Sequence, residues 1–442
     1  MSDSLRLLLD HLLLLSERIG DSLSRVTYTP PESSNVNIKS TLESLLPNRG
    51  SPSLSEISEV EVCAKISDFT LCCAALAAAS ESTYGELLWI PNSLSESAVS
   101  AFKQLSEAYS SFLGPKKCMK VGELELDLKF MPSDVRLLVE LMPQVLPSLK
   151  NKIKGSAIDK SIDTDEFFAA SARTPVAYAI LAAHQLKWIV TQVNYPFLGK
   201  LCSLVIPCGL TALDHWSQQV KGQGMITFIH LSKNTNAAEI GWYEDVILDA
   251  CCQNIASSDD EIWQYVVEMS VLMLTSTQKS NPRSIWFEKL LNEMLSHLER
   301  QPKNKERRIA WLTHVDSLFD GVGLVLLSHF RRLFPLFFQW MHADDDTVLL
   351  LQVLERTKTV LRLTWIRNSP YIDRLVDELV SLYKEAAMRT LRDDIRSLIL
   401  ETLILLQQCK GSQFQVAWDK HKNDLDLTLL HQSFAGRHTT AV

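Results

Sequence analysis

The chain has 442 residues, 46% of them hydrophobic, with 44 Lys and Arg against 52 Asp and Glu and a formal net charge of −8. That apolar content, with a charged fraction of 22%, excludes a largely disordered chain, and the acidic balance argues against nucleic acid as the main ligand. Only 15 glycines leave little material for phosphate-cradling loops or tight β-turns. At about 100–200 residues per domain, the length allows two to four compact domains or one elongated repeat structure. The nine cysteines form no Cys-x-x-Cys pair and sit mostly among apolar neighbours. They read as buried free thiols in a reducing compartment rather than as a zinc ribbon or a redox pair.

In chain order, MSDSLRLLLDHLLLLSERIG is rich in leucine but carries Asp3, Asp10 and His11. Lacking a basic start and a small-residue cleavage site, it predicts an amphipathic first helix and not a secretory signal. Residues 28–55 are rich in Ser, Pro and Asn and predict loops around a short helix at Ser40–Leu46. Residues 56–80 predict a small-residue helix ending in ALAAAS. Over 119–130, Leu124, Leu126, Leu128 and Phe130 alternate with Glu123, Glu125, Asp127 and Lys129, a strand pattern. One strand makes no sheet, so this predicts an extended segment or a small hairpin decorating a helical protein. The boundaries expected are a divergent helical region 1–150, a polar linker 151–167, helical repeats 168–422 and a frayed tail 423–442.

From residue 168 onward the helical period dominates. Phe287, Leu290, Leu291, Met294, Leu295 and Leu298 form one apolar stripe, with Trp286 at its start. Ile372, Leu375, Val376, Leu379, Leu382 and Ala386 form another, and Leu391, Ile395, Leu398, Ile399, Thr402, Leu405 and Leu406 a third. The breaks between them are short, as at NPRS near 281, QPKNK near 301, ADDD near 343 and RNSP near 367. Connections of about 2–8 residues make successive helices antiparallel. So many helices do not easily share one core, and the fold class predicted is all-α, an α-solenoid of HEAT- or armadillo-like pairs. A compact all-α bundle is the alternative. The richest apolar stretch, 322–338, is interrupted by His329, Arg331, Arg332 and Pro335, so no membrane span is expected. A soluble intracellular protein is.

Motifs that carry chemistry are scarce. The chain has no Gly-x-x-x-x-Gly-Lys loop, Gly-x-Gly-x-x-Gly turn, His-Glu-x-x-His pair or Gly-x-Ser-x-Gly elbow. Ser100-x-x-Lys103 and Ser381-x-x-Lys384 lack the companion motifs that would give them meaning. His342-Ala-Asp344-Asp345-Asp346 offers an imidazole and carboxylates to a metal, but the same acids cap the helix beginning near 346, and capping is the better account. Ser258 with Glu261 likewise reads as a capping box, and the acids after Ser257 and Ser258 also suit an acidophilic kinase. Arg331 and Arg332 lie inside a very apolar helix, where a charge needs a partner or a groove. The tryptophans stand mostly on helical stripes, as core residues or interface anchors.

Three stretches carry a family resemblance: YPFLGKLCSLVIPCGLTALDHW (195–216), KGQGMITFIHLSKNTNAAEIGWYEDVILDACCQNI (221–255) and LVLLSHFRRLFPLFFQWMHADDDTVLLLQVLERTKTVLRLTW (324–365). Their order, a Tyr-Pro helix start, a Gly-start helix leading to an Asn/Ala/Glu loop and a Trp-Tyr helix start, and a pair ending in Thr-Trp, resembles the Tti-two (Tel-two-interacting protein two) family over residues 195–410. The resemblance implies a non-enzymatic, cofactor-free scaffold subunit of the Triple T co-chaperone complex, cytoplasmic and nuclear. Its partners would be the two other Triple T subunits and, indirectly, the ninety-kilodalton heat-shock chaperone and phosphatidylinositol-kinase-related kinases, in nutrient signalling and DNA-damage responses. Neither nucleic acid nor membrane is an expected partner. Residues expected on the partner surface are Arg331, Arg332, Trp340, Asp344, Asp345, Arg362, Trp365 and Arg367. Reversing the charges of Arg331 and Arg332 together is expected to weaken assembly and leave helicity intact. An armadillo-type adaptor for extended peptides is the alternative; its periodic Trp/Asn ladder is not found, since Asn is not periodic here.

Overall fold

The structure is a computed structural model that describes residues 3–30, 36–48, 58–81, 85–113, 118–121, 124–127, 131–156, 174–281, 283–342, 346–365 and 370–435. They divide into two compact units, Met1–Ala250 and Cys251–Val442.

In the first unit, chain segments with a cap and an apolar face become helices: α1 (Asp3–Ser24), α2 (Ile38–Ser44), α3 (Glu59–Ala78), α4 (Asn92–Leu113), α5 (Ser133–Gly155), α6 (Val176–Thr191), α7 (Cys202–Leu213), α8 (Gln218–Asn234) and α9 (Ala237–Ile240). A further helix, α10 (Glu244–Ser257), runs across the division of the units. Capping boxes start two of them. Ser58 and Glu61 exchange side-chain and backbone bonds at the head of α3, as do Asn236 and Glu239 at α9. Helices α3/α4, α5/α6 and α7/α8 are antiparallel pairs. Across the pairs α4 packs on α5 and α5 on α7, while α3 packs on α6 and α6 on α8. Two layers of stacked helices result, with α1 against α4. In the middle of its layer, α6 has thirteen of its sixteen residues buried. The alternating stretch near 119–130 forms an antiparallel ribbon, β1 (Cys118–Val121) and β2 (Leu124–Asp127), pairing Cys118 with Asp127 and Val121 with Leu124.

The second unit repeats this plan. Its helices are α11 (Asp260–Thr277), α12 (Ile285–Arg300), α13 (Lys305–His314), α14 (Asp316–Val322), α15 (Phe330–Met341), α16 (Thr347–Thr364), α17 (Tyr371–Glu385), α18 (Arg392–Asp419) and α19 (Thr428–Ala435), with a 3₁₀ segment Gly323–His329 between α14 and α15. One layer runs α11, α13, α16, α18 and the other α12, α15, α17. All six apolar residues from Phe287 to Leu298, and all six from Ile372 to Ala386, are buried between the layers. Each unit is thus all-α and stacked as HEAT-like pairs, the α-solenoid architecture expected. Residues Asp316–Met341 are apolar and long enough in total to cross a membrane. They bend at Gly323, whose φ of 55° suits glycine, and bury Phe319, Leu326, Phe334 and Phe337 against neighbouring helices.

Polar contacts stitch each layer at a regular sequence interval. Asn304 bonds Asp260 at a separation of 44 residues, Arg332 bonds Asn292 at 40, Gln352 bonds Thr313 at 39 and Lys358 bonds Glu401 at 43. These separations of 39–44 residues lie at the lower end of the period of about 40–47 residues at which such pairs recur.

Two expected boundaries move, and one expected cap is not formed. The division lies within α10, not at 151–167, since α5 continues to Gly155 and packs on α6 beyond that stretch; residues 157–173 lie outside those described. The segment 423–435 is folded, not frayed: Leu427 and Leu430 are buried, His431 lies edge-on to Trp418 at 5.0 Å and Asp424 pairs with Lys384. Ser258 caps nothing, because Asp259 is the residue ahead of α11 and Ser258 is buried with its carbonyl accepting from Arg307.

Candidate partner-binding surface

The sequence-predicted surface residues separate into three groups. Trp340 is in the core, 2% exposed, with its indole N–H donating to the Pro302 carbonyl at 3.2 Å. Its ring packs on Trp311 and Phe337, so it has no face to offer a partner. Arg332 is spoken for as well. Its guanidinium donates to both carboxylate oxygens of Glu299 at 2.8 Å, to Asn292 Oδ1 at 2.8 Å and to Ser296 Oγ at 3.0 Å. The charge inside an apolar helix has found its partner on α12, one step away in the same layer. Reversing it would break this clamp, so weakened assembly of the double variant would report on the packing of α15 against α12 as well as on an interface. Asp344, Asp345 and Arg367 lie outside the described residues.

Arg331, Arg362 and Trp365 remain. Arg331 and Arg362 are exposed, and neither makes an ion pair with another described residue. Trp365 follows the last turn of α16 with φ 52° and ψ 19° and is 60% exposed. The left-handed region costs a side chain other than glycine about 1–2 kcal/mol. A large ring at such a position, mostly in solvent, stabilises neither the helix end nor the core.

Polar contacts along α16 identify its neighbours. Lys305 pairs with Asp346 at 2.7 Å, Thr313 accepts from Gln352, and Asp316 pairs with Arg356. Helices α13 and α14 therefore run alongside α16 in the same direction, and the following 3₁₀ segment also contacts α16. Leu324 and Val325 of that segment are 48% and 47% exposed. Phe330 and Phe334 of α15 meet Tyr371 of α17 at 6.4 and 5.1 Å, closing the same end of the unit. Sequence periodicity missed Leu324 and Val325 because they belong to a helix-like apolar run whose 3₁₀ winding turns them outward.

Other chemically suggestive groups are committed to the fold. His342 lies between two acids, Nε2 3.0 Å from Glu378 and Nδ1 3.0 Å from Glu385, so its nitrogens point to opposite sides and tie α15 to α17. Asp346 caps α16, accepting from the N–H groups of Val348 and Leu349, and Lys305 holds its carboxyl below the usual range. Among the described residues no three His, Cys, Asp or Glu side chains are grouped to hold a metal. Ser156 and His215 resemble a nucleophile and base at 3.0 Å. Yet the ring Nδ1 accepts from the Ser217 N–H at 3.0 Å, so Nε2 carries the proton and donates to Ser156, whose hydroxyl in turn faces the Ile153 carbonyl. A ring in that tautomer cannot take the serine proton. Burial pushes the thiols of Cys72, Cys202 and Cys251 up to about 12, which keeps them protonated and inert.

No family model matches the chain. Among solved structures it is similar to Kap95p in a structure with RanGDP (10% identity, TM-score 0.44), to Kap121p bound to Pho4p (9%, 0.38) and to yeast importin-beta, Kap95p (11%, 0.37). These matches cover 82%, 92% and 93% of this chain, which spans 43%, 46% and 56% of theirs, about half their length. Among curated proteins it is similar to the uncharacterized protein At2g39910 of Arabidopsis thaliana, 55% identical over 422 residues, 95% of this chain and 93% of that one. With identity that high along nearly the whole of both sequences, the chain belongs to the family of that Arabidopsis protein.

Proposed function

We propose that the chain is a non-enzymatic scaffold subunit of the Triple T co-chaperone complex, working with its two other subunits in cytoplasm and nucleus. In that role it would help the ninety-kilodalton heat-shock chaperone stabilise and assemble phosphatidylinositol-kinase-related kinases. The observation that carries this reading is the order of features through residues 195–365, which resembles the Tti-two family; the stretches concerned include α7, α8 to α10, and α15 with α16. Stacked pairs suit the role, since they offer long ridges of side chains to large partners. Exposed aromatic residues at helix ends, Trp365 and the fully exposed Trp242, suit it too, because aromatic anchors dominate protein interfaces.

The test is affinity purification of the tagged full chain from its native cells, with partners quantified by mass spectrometry. The two other Triple T subunits should be recovered in amounts comparable to the bait, and depletion of the chain should lower the steady-state level of the kinases. Recovery of other proteins in their place, with kinase levels unchanged, would refute the proposal.

A further inference from the structure

We infer that residues 411–435 form a clasp that opens as one piece about Lys410 and Gly411 and uncovers an edge of the second unit. Helix α18 is two helical pieces joined at Lys410, whose φ of −140° and ψ of 35° are not helical. Apart from the helix itself, no described atom stands within 4 Å of the place a Cβ on Gly411 would take, so nothing braces the joint there. Beyond it the chain has a small core of its own. Phe414 stacks on Trp418 at 5.9 Å, Trp418 meets His431 edge-on at 5.0 Å, and Leu427 and Leu430 are buried. His431 Nε2 donates to the His421 carbonyl at 3.3 Å, tying α19 to the turn that follows α18. A segment held together by its own contacts opens as a unit.

Polar pairs near the surface fasten this piece to α17. Lys420 lies 3.5 Å from Asp373, His421 Nε2 lies 2.8 Å from Asp377, and Lys384 pairs with Asp424. At i, i+4 and i+11, the three α17 residues stand on one flank of the helix, and Val376 and Val380 are buried at i+3 and i+7 beside them. Arg374, Glu378 and Glu385, which meet Phe338 and His342 of α15, stand on another flank. The clasp therefore covers a side of α17 that α15 does not use. Asp373 and Asp377 are 60% and 49% exposed, so water and salt compete for their pairs and each contributes little. The part of α18 before Lys410 is anchored by Ile395, Ile399, Leu403 and Leu406, all buried. Unequal fastening on the two sides of the joint makes the C-terminal piece the first to let go. In a stack of helical pairs the terminal element shields the last apolar face, and lifting the clasp bares Val376 and Val380 as the start of a further step.

Hydrogen exchange of the full chain, read by mass spectrometry, tests this. Amides of 414–431 should share one degree of protection, lower than that of 395–406. It should fall roughly tenfold between low and high salt as the pairs are screened. The variant K384E, which sets two carboxylates together, should lower it by at least as much at low salt, and the double variant K384E/D424K should restore it. Protection of 395–406 should stay unchanged in all of these. Amides of 414–431 as protected as those of 395–406 would overturn the inference, because the clasp would then open only with the whole unit. So would protection that declines steadily towards residue 431, the mark of a fraying end without a joint, or protection indifferent to both salt and K384E.

Discussion

Replacing Arg332 by alanine separates a structural clamp from a partner contact. The side chain makes a two-pronged ion pair with Glu299 and further bonds to Asn292 and Ser296, all on α12. Its side chain is 28% exposed and that of Glu299 39%. Bonds to charged groups contribute about 1.5–3 kcal/mol when buried, and exposed ion pairs about 0.2–1 kcal/mol. With one partner more than a third in solvent, the pair is worth about 1 kcal/mol, and the two guanidinium bonds to the uncharged Asn292 and Ser296, discounted for the same exposure, about 0.5 kcal/mol each. Arg332→Ala should therefore destabilise the second unit by about 2 kcal/mol, or roughly 4–8 °C in melting temperature for a domain of this size. Scanning calorimetry at low and high ionic strength measures it, and the difference from wild type should shrink with salt. The swap R332E/E299R should recover about half of the loss, restoring the pair but not the bonds to Asn292 and Ser296. A variant that melts as wild type does, yet no longer recovers partners, would refute the clamp and return Arg332 to the interface.

Three more outcomes are expected. A Cβ on Gly321 would stand 2.1 Å from Phe287 Cε1; Gly321→Ala should cost about 1–3 kcal/mol by overpacking, and an unchanged denaturant midpoint would contradict this. Asp346→Asn keeps the cap on α16 and loses the pair with Lys305, whereas Asp346→Ala loses both, so melting should fall in that order, by about 1 kcal/mol for the cap alone; equal losses would show that only the ion pair counts. His184 is buried with no partner for Nδ1 among the described residues, and burial, with Lys187 nearby, lowers its pKa from 6.5 to about 3. A histidine kept neutral in the fold contributes stability that is complete above about pH 6.5 and is lost as pH falls towards about 3. His184→Leu should flatten that part of the profile for the first unit in urea titrations, and an unaltered acid limb would exclude His184 as its source.

Helix positions in the second unit were legible because their apolar residues fall on one face: the stripe at 372–386 is buried, and that at 286–298 is buried from Phe287 on, with Trp286 half-buried at its start. What periodicity does not carry is the neighbour. Trp340 and Trp365 both end apolar helices, yet one is 2% exposed and the other 60%, because only the first has Trp311 and Phe337 against it. Arg332 looked available for the same reason, its partners being 33–40 residues upstream. The third stripe failed at its first member: Leu391 has φ 55° and is half exposed, since α18 begins only after it. Helix α6 gives little directional signal, for it is buried on nearly every face. The repeat was visible only loosely in helix and loop lengths, and sharply once polar pairs 39–44 residues apart were in view.

That all-round burial of α6 governs how the first unit can be dissected. Helices α3, α5 and α8 each cover one side of it, so removing any of them would turn an apolar flank to water and invite aggregation rather than yield a shorter working module. Deletion mapping, the usual route to a binding region in stacked-helix proteins, would report collapse there instead of lost recognition. Surface roles in this half are reachable only through single substitutions at exposed positions such as Trp242.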